Sequence, residues 1–493
     1  MRNFPNILST QINSANRFGS VYVPSMNPNP PFSYGLPSGG SCDFFNYLSD
    51  DINTVEEEQL PMVGSLPFLQ WIDMSEALFG YSAWQQDLCN TMLGEYDDAS
   101  TWVDLYQRIA ILNTTLDEVG RMEVSTDKEV LDKERVLGES YFLRAQFYLI
   151  LANLYGKPYN PSTASTDLGV PLKITSGVEH DKDKTTQFER TTLDKIYAQI
   201  VSDLESSLAC LKKSSKDVLY RASEKATAIL LSRVYLYMQE WKKAKEVIEP
   251  YLSNNQFKLE SIVDRDFVTE DTPFLTDDNS ELIFSQGSLY SEMTLTGQAP
   301  DFCVTKELYN LYDDSDARKG WFEINASTDS VALSYKYKTD FHQSRVSDVL
   351  MLRSAEAYLN MAEACAMLGT EDASANQYLN ALRKMRIKNY TDQTYSGETL
   401  VQQIRDERRK ELCFEGQRWF DLRRYSVSST YPYSKKIYRS YSVYNSDYFL
   451  EKTYVYVLEE NDPAYTFDIP KSVKEFDGVP MPGNDRPVRN AIN

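Results

Sequence analysis

Histidine is nearly absent from this chain: His180 and His342 are the only two in 493 residues. That scarcity argues against a His-rich catalytic metal centre and against most nucleophile–His–acid arrangements, which need an imidazole as general base. The six cysteines, at 42, 89, 210, 303, 365 and 413, show no CxxC and no regular spacing. Neither a zinc knuckle nor a disulfide framework is written there, and the cysteines read as small buried residues. No run approaches the roughly 18 consecutive apolar residues of a membrane span. The opening MRNFPNILST has no apolar core of a signal peptide, which fits either a cytoplasmic protein or a processed chain. Positive charge is in deficit as well. With 51 Lys and Arg against 72 Asp and Glu, the formal charge of -21 repels polyanions over most of the surface, so no nucleic-acid partner is expected.

What is plentiful is tyrosine, 34 against 22 phenylalanines and six tryptophans. These rings are apolar on the face and polar at the tip, a combination that packs helices and also suits sugars and peptides. The chain is longer than one hydrophobic core usually organises, so several domains or a layered assembly are expected.

Residues 1–66 are rich in Asn, Pro, Ser and Gly and read as an irregular lead-in. From 101 to 119 apolar residues recur at helical spacing, with Ser100 or Thr101 as the expected cap, and a second helix in KERVLGESYFLRAQFYLILANLYGKPY ends at Gly156 and Pro158. The pattern repeats in 191–211 and 222–252, and again in 347–386, where Ala355, Ala357, Ala362, Ala364 and Ala366 let helices approach closely. Paired helices of this kind resemble tetratricopeptide (TPR) units, in degenerate copies separated by insertions. The organisation expected is one mainly α domain over 1–493. The first helical pairs occupy 67–252, a loop-rich acidic insertion with strand-like LIFSQ and VALSYKYKT occupies 253–346, later helices occupy 347–425, and a Tyr-rich, hairpin-bearing coda occupies 426–493.

The densest charge lies in RDERRKELCFEGQRWFDLRRY, residues 405–425. If Ser396 or Thr399 starts a helix, Leu400, Ile404, Arg408 and Leu412 share one face, Asp406 precedes Lys410 by four, and Glu411 follows Arg408 by three. The expectation is charge paired within the segment. Glycosidase chemistry asks instead for two carboxylates facing each other across a cleft. Arginines between the carboxylates here depress their pKa values, so a scaffold is expected and no catalytic residue is assigned.

The segment 404–424 resembles the C-terminal signature of the SusD/RagB family, R-x-E-R-x-x-E-L-x-F-E-G-x-R-x-x-D-L-x-R, with Arg408, Glu411, Glu415, Arg418 and Asp421 among the matching positions. WVDLYQRIAILNTTL (102–116), ESYFLRAQFYLILANLYGKPY (139–159), SELIFS (280–285), KELYNLYDDSDARKGWF (306–322), VLMLRSAEAYLNMAEACAML (349–368) and FDIPKS (467–472) agree in order. The resemblance implies about four TPR-like helical pairs with loop insertions and a few short β-hairpins. It implies a non-enzymatic lipoprotein of the outer-membrane surface that captures a glycan, or in some members a peptide, and delivers it to a SusC-like TonB-dependent transporter. The lipid anchor would precede this chain, whose leader and lipidated cysteine are expected to have been trimmed. A cytoplasmic TPR-like interaction module is the rival reading, and a glycoside hydrolase a second.

Ligand contacts are expected on loops outside the helical pairs. Trp71, Trp84, Tyr290 and Trp321 are the candidates for stacking on a sugar ring, with Asp73, Gln85 and Gln86 for its hydroxyls. Trp102, Trp241 and Trp419 sit inside helical patterns and are assigned to the core. No cofactor or catalytic metal is expected. The acidic run DDSDAR (313–318) offers oxygen ligands of the kind calcium takes, but a helix-ending surface turn is the favoured reading.

Overall fold

Between residues 100 and 253 the helical periodicity produces five helices, each packed on the one before: α1 (Ser100–Arg121), α2 (Asp127–Tyr155), α3 (Leu193–Ser214), α4 (Glu224–Tyr237) and α5 (Trp241–Ser253). Next, α6 (Ser354–Met367) packs on both α4 and α5 and carries the stack into α7 (Asp372–Lys384) and α8 (Gly397–Leu412). The short α9 (Arg418–Ser426) completes the charged segment. The computed structural model describes residues 42, 44–56, 62–63, 66–67, 78–88, 99–177, 188–214, 218–286, 302–326, 329–337, 346–444, 449–476 and 480–492, to which the structural statements refer.

Local chemistry sets the helix ends. α2 starts at Asp127, ahead of the apolar pattern, because Thr126 and Glu129 form a capping box: the Thr126 hydroxyl accepts from the Glu129 N–H, and the Glu129 carboxylate accepts from the Thr126 N–H. The side-chain cap expected for α1 is not made; Ser100 is already helical, and Ala99 occupies the cap position without a side-chain bond. A single left-handed residue turns the chain within each later pair, Gln239 (φ 60°) between α4 and α5 and Gly369 (φ 70°) between α6 and α7. The five alanines of α6 are all buried, so nothing larger holds α5, α7 and α8 off its backbone. This is the TPR-like, mainly helical body that the sequence implies.

Short strands fill the insertion and the coda. β1 (Ile52–Thr54), β3 (Phe302–Val304), β5 (Val331–Leu333) and β4 (Phe322–Ile324) form an antiparallel sheet in that order, so the lead-in supplies one edge. β2 (Leu282–Gln286), the predicted LIFSQ strand, pairs antiparallel with β6 (Leu350–Arg353) and sets Leu282 opposite Arg353. β7 (Ile437–Tyr444) and β8 (Leu450–Leu458) make the C-terminal hairpin. The main apolar core runs through all these parts, from Cys42 to Met481. Cys42, Cys365 and Cys413 are buried, and these three, with the partly exposed Cys210 and Cys303, are free thiols.

The charged segment is buried, and most of its partners come from elsewhere in the chain. Glu411 is shared by Arg353 (2.6 Å), Arg386 (2.8 Å) and Arg318 (2.8 Å), all without exposed side-chain surface. Arg353 also reaches Glu281 (3.1 Å) and Glu415 (2.8 Å), Arg386 reaches Glu281 (2.7 Å), and Arg318 reaches Glu407 (2.6 Å) and Asp316 (2.7 Å). A second cluster joins Arg409 and Arg418 to Asp50 and Asp51 in the lead-in, with Arg418 at 2.7 Å from Asp50.

This corrects the expectation of pairing along the segment. That pairing holds for Arg408 with Asp421 (3.0 Å), Arg424 with Asp421 (2.8 Å) and Lys410 with Glu407 (3.4 Å). Asp406, however, accepts from Gln402, Lys410 also turns to Asp316 (3.2 Å), and Glu411 is claimed by other elements. Spacing rules describe an exposed helix face, whereas α8 is covered by α6, α7 and the insertion, whose charges lie closer. Gly416 shows the same crowding. At φ 68° its N–H donates to Asn46 (2.9 Å), and a Cβ there would stand 2.7 Å from the Val349 carbonyl oxygen.

Burial alone pushes the carboxyls of Glu407, Glu411, Glu415, Asp421 and Asp50 upward, but the surrounding cations outweigh it and hold each below its ordinary range. At Glu411 these cations are Arg386, Arg353 and Arg318; at Glu415, Arg353 and Lys336. Asp51 and Asp203 shift the other way, because burial dominates there. A depressed folded pKa means that the unfolded chain binds more protons, so this stabilisation is complete above the ordinary Glu value of 4.5 and is lost as pH falls through the folded values. With only two histidines in the chain, little titrates near neutrality. Thermal melts should therefore give a nearly constant Tm from roughly pH 6 to 8 and a steep fall below about pH 4.5. A Tm that climbs on acidification would contradict the network.

Candidate functional site

The loop singled out around Trp84 is anchored inward. One helical turn, Phe79–Ser82, is followed by Trp84 at φ 52°, a left-handed conformation unusual for so large a side chain. Its indole N–H donates to the Leu48 carbonyl (2.8 Å), and the Arg439 guanidinium lies 5.3 Å from the ring, leaving 0% of the residue exposed. Trp321 is equally enclosed. Its ring stacks on Phe274 (5.2 Å, 20°) with the Lys336 ammonium 4.8 Å away, and it too is 0% exposed.

Both tryptophans are therefore corrected from ligand contacts to core anchors: each face that a sugar would need is already covered by the protein. Gln85 is buried, with its amide donating to the Ala83 carbonyl (3.1 Å), which removes it from the expected set. Gln86 remains exposed, its amide donating to the Arg486 carbonyl (2.8 Å). Trp71, Asp73 and Tyr290 lie outside the described residues.

A different set of rings reaches the surface from the same loop. Phe79 contacts Tyr441 (4.8 Å, 55°) and Tyr456 (5.3 Å, 73°) on the C-terminal hairpin. Strand register explains the grouping: Tyr454 pairs with Tyr441 and Tyr456 with Arg439, so alternate residues of β7 and β8 share one face. At its inner end that face is buried, with Ile437, Leu458 and Arg439 closing on the core. It then emerges through the half-buried Tyr441, Tyr454 and Tyr456 to the exposed Lys452, whose ammonium sits 4.4 Å from the Tyr454 ring. Burial, helped by neighbouring Tyr454, raises the pKa of the Tyr456 hydroxyl, which is therefore neutral at physiological pH. The surface offers apolar ring faces, phenolic hydroxyls and a flanking ammonium.

Sequence reasoning missed this cluster. YSVYNSDYFLEKTYVYVLEE reads only as part of a Tyr-rich, hairpin-bearing coda, with none of its tyrosines singled out; period-two spacing across a hairpin was the available signal. Within the DDSDAR run, Asp316 pairs with Arg318 and Lys410 of the same chain and Asp314 with Lys319 (2.6 Å), while Asp316 also caps the turn Ala317–Trp321. Among the described residues no group of three His, Cys, Asp or Glu is placed to hold a metal ion, and no helix is long and apolar enough to cross a membrane.

A TPR-like helical frame presenting aromatic rings on its loops and hairpin defines a class of scaffold. Comparison with known proteins gives the family. Residues 314–476 match the SusD family, and residues 70–236 match a SusD-like family described as starch-binding and associating with the outer membrane, together about two thirds of the chain. The chain belongs to the SusD/RagB family. It is 22% identical over 410 residues to SusD-like protein P2 of Formosa agariphila, covering 71% of this chain and 76% of that one. Two crystal structures share its fold. A putative sugar binding protein from Bacteroides vulgatus has TM-score 0.69 and 24% identity, with 97% and 98% of the two chains covered. A SusD superfamily protein from Bacteroides thetaiotaomicron has TM-score 0.69 and 21% identity, with 97% and 100% covered.

The two kinds of aromatic residue should behave oppositely when truncated. Trp84→Ala removes a buried ring and should cost ~3–5 kcal/mol in chemical denaturation, whereas Tyr454→Ala should stay within about 1 kcal/mol of the parent. Equal losses for the two would contradict the assignment.

Proposed function

We propose that this protein captures an oligosaccharide at the outer-membrane surface and passes it to a partner TonB-dependent transporter, without transforming it. The observation that carries this reading is the half-buried cluster of Phe79, Tyr441, Tyr454 and Tyr456, fixed at its base by Trp84 and Arg439 and open at its rim. A sugar ring presents axial C–H groups that pack on such faces, and neutral phenols can donate hydrogen bonds to its hydroxyls. The starch-binding description of the matched family and the sugar-binding name given to a structural neighbour support a glycan as cargo. The description of outer-membrane association supports the location, and a transporter partner follows from the family resemblance.

The buried carboxylates support binding over catalysis. Glu407, Glu411 and Glu415 are each held by arginine or lysine and have no exposure from which to meet a substrate. Delivery requires only that cargo be held and released, which a shallow aromatic face does well.

Affinity electrophoresis through gels containing a panel of polysaccharides provides the test. At least one polysaccharide should retard the protein, and Tyr454→Ala with Tyr456→Ala should weaken retention by ~0.5–1.5 kcal/mol per ring at unchanged Tm. Unaltered retention would remove the hairpin from the site, and release of reducing ends by the unmodified protein would overturn the binding-only reading.

A further inference from the structure

A second recess lies on the helical frame, away from the hairpin. Its walls come from the segment after α5 (Asn255, Lys258, Leu259), from Tyr358 on α6 and from α7, enclosing about 770 Å³, a volume within the range of small-ligand sites. Tyr358 is fixed on two sides, its hydroxyl donating to the Phe257 carbonyl (3.3 Å) and its ring meeting Tyr378 edge-on (6.0 Å, 70°). With Leu259 and Met385 it gives the recess an aromatic and apolar floor.

The remaining wall is an extended segment laid across α7 and clamped there. The Asn376 amide donates to the Tyr395 carbonyl (2.8 Å) and accepts from its N–H (2.9 Å), and Asn380 does the same for Gln393 (2.9 and 3.2 Å). Two asparagines one helical turn apart thus fix residues 393 and 395, so the recess is preformed and needs little ordering to accept a guest.

Around this floor stand polar groups with hydrogen-bonding capacity unspent. Among the described residues, the exposed side chains of Asn255, Gln377 and Thr394 make no hydrogen bond to the protein, and Lys258 has no ion-pair partner. Lys384 and Asp392, which also line the recess, pair with each other (2.8 Å), so the unspent groups around the apolar floor are two neutral amides, a hydroxyl and the Lys258 ammonium.

We infer that this recess is a second glycan subsite, taking a neutral polyhydroxylated ring on Tyr358, with Gln377, Asn255 and Thr394 binding its hydroxyls. The inference rests on the glycan-binding reading above. It adds a contact on the helical frame, separate from the hairpin face, so that one long chain or two short ones can be held at two points.

Saturation-transfer difference NMR on the full chain, with glucose, galactose, mannose and xylose as probes, tests this. Tyr358→Ala and Gln377→Ala should each lower the transfer to at least one sugar by about threefold, and the hairpin double variant Tyr454→Ala/Tyr456→Ala should leave that component in place. Gln377 is exposed, so its variant reports on binding without threatening the fold. Transfer lost only in the hairpin variant would overturn the second subsite while sparing the main reading. Absence of transfer from every sugar would overturn both, and transfer to tri-alanine alone would make the recess a peptide site and overturn the inference.

Discussion

Glu411, wholly out of reach of water, is held by three guanidiniums at once, and the placement of much of the fold follows from that fact. Burying one ion costs several kcal/mol, repaid only when its partners are close and well aligned. Arg353 comes from β6, Arg386 from the end of α7 and Arg318 from the insertion, so satisfying one carboxylate fixes three distant stretches against α8. Glu281 binds Arg353 and Arg386 as well, and the β2–β6 register brings it there. A slip of any of these elements would strand a charge in the interior. The network therefore specifies one arrangement more than it adds stability, and the apolar core supplies the driving force.

That division of labour separates frame from surface. The frame consists of alanine-lined helices and of buried cations most of which are matched to carboxylates, so that most of its interior charge is spent on architecture. The surface is assembled where loop and hairpin meet, and its rings are positioned by residues that themselves never meet solvent. Trp84 links the two: its indole bonds the lead-in at Leu48, its ring carries Arg439 of β7, and Phe79 stands one turn before it. A buried anchor beside a half-exposed ring gives the proposed binding face a geometry that does not have to form on contact.

Much of the frame was legible in the sequence because its signals are local and periodic. The helical spacing, the alanines of α6 and the strand LIFSQ appear where they were expected, and Arg408 finds the partner that its apolar neighbours demanded in Asp421. The partners of Glu411 were not legible, since Arg318, Arg353 and Arg386 lie 93, 58 and 25 positions away and no spacing rule reaches them. The site was less legible still. Tryptophans in loops look exposed, yet Trp84 and Trp321 are enclosed by cations and rings contributed from remote segments. Tyrosines in a hairpin look like packing, yet register turns three of them to one face.

The central claim is that the charged segment is architecture, and a double-mutant cycle on Arg353 and Glu411 tests it most directly. Arg353→Met and Glu411→Gln should each destabilise the protein by ~3–5 kcal/mol, with a coupling energy above about 1.5 kcal/mol and glycan retention unchanged wherever the fold survives. Single substitutions that leave stability intact, show no coupling and abolish retention would place these charges in the binding site and contradict the account.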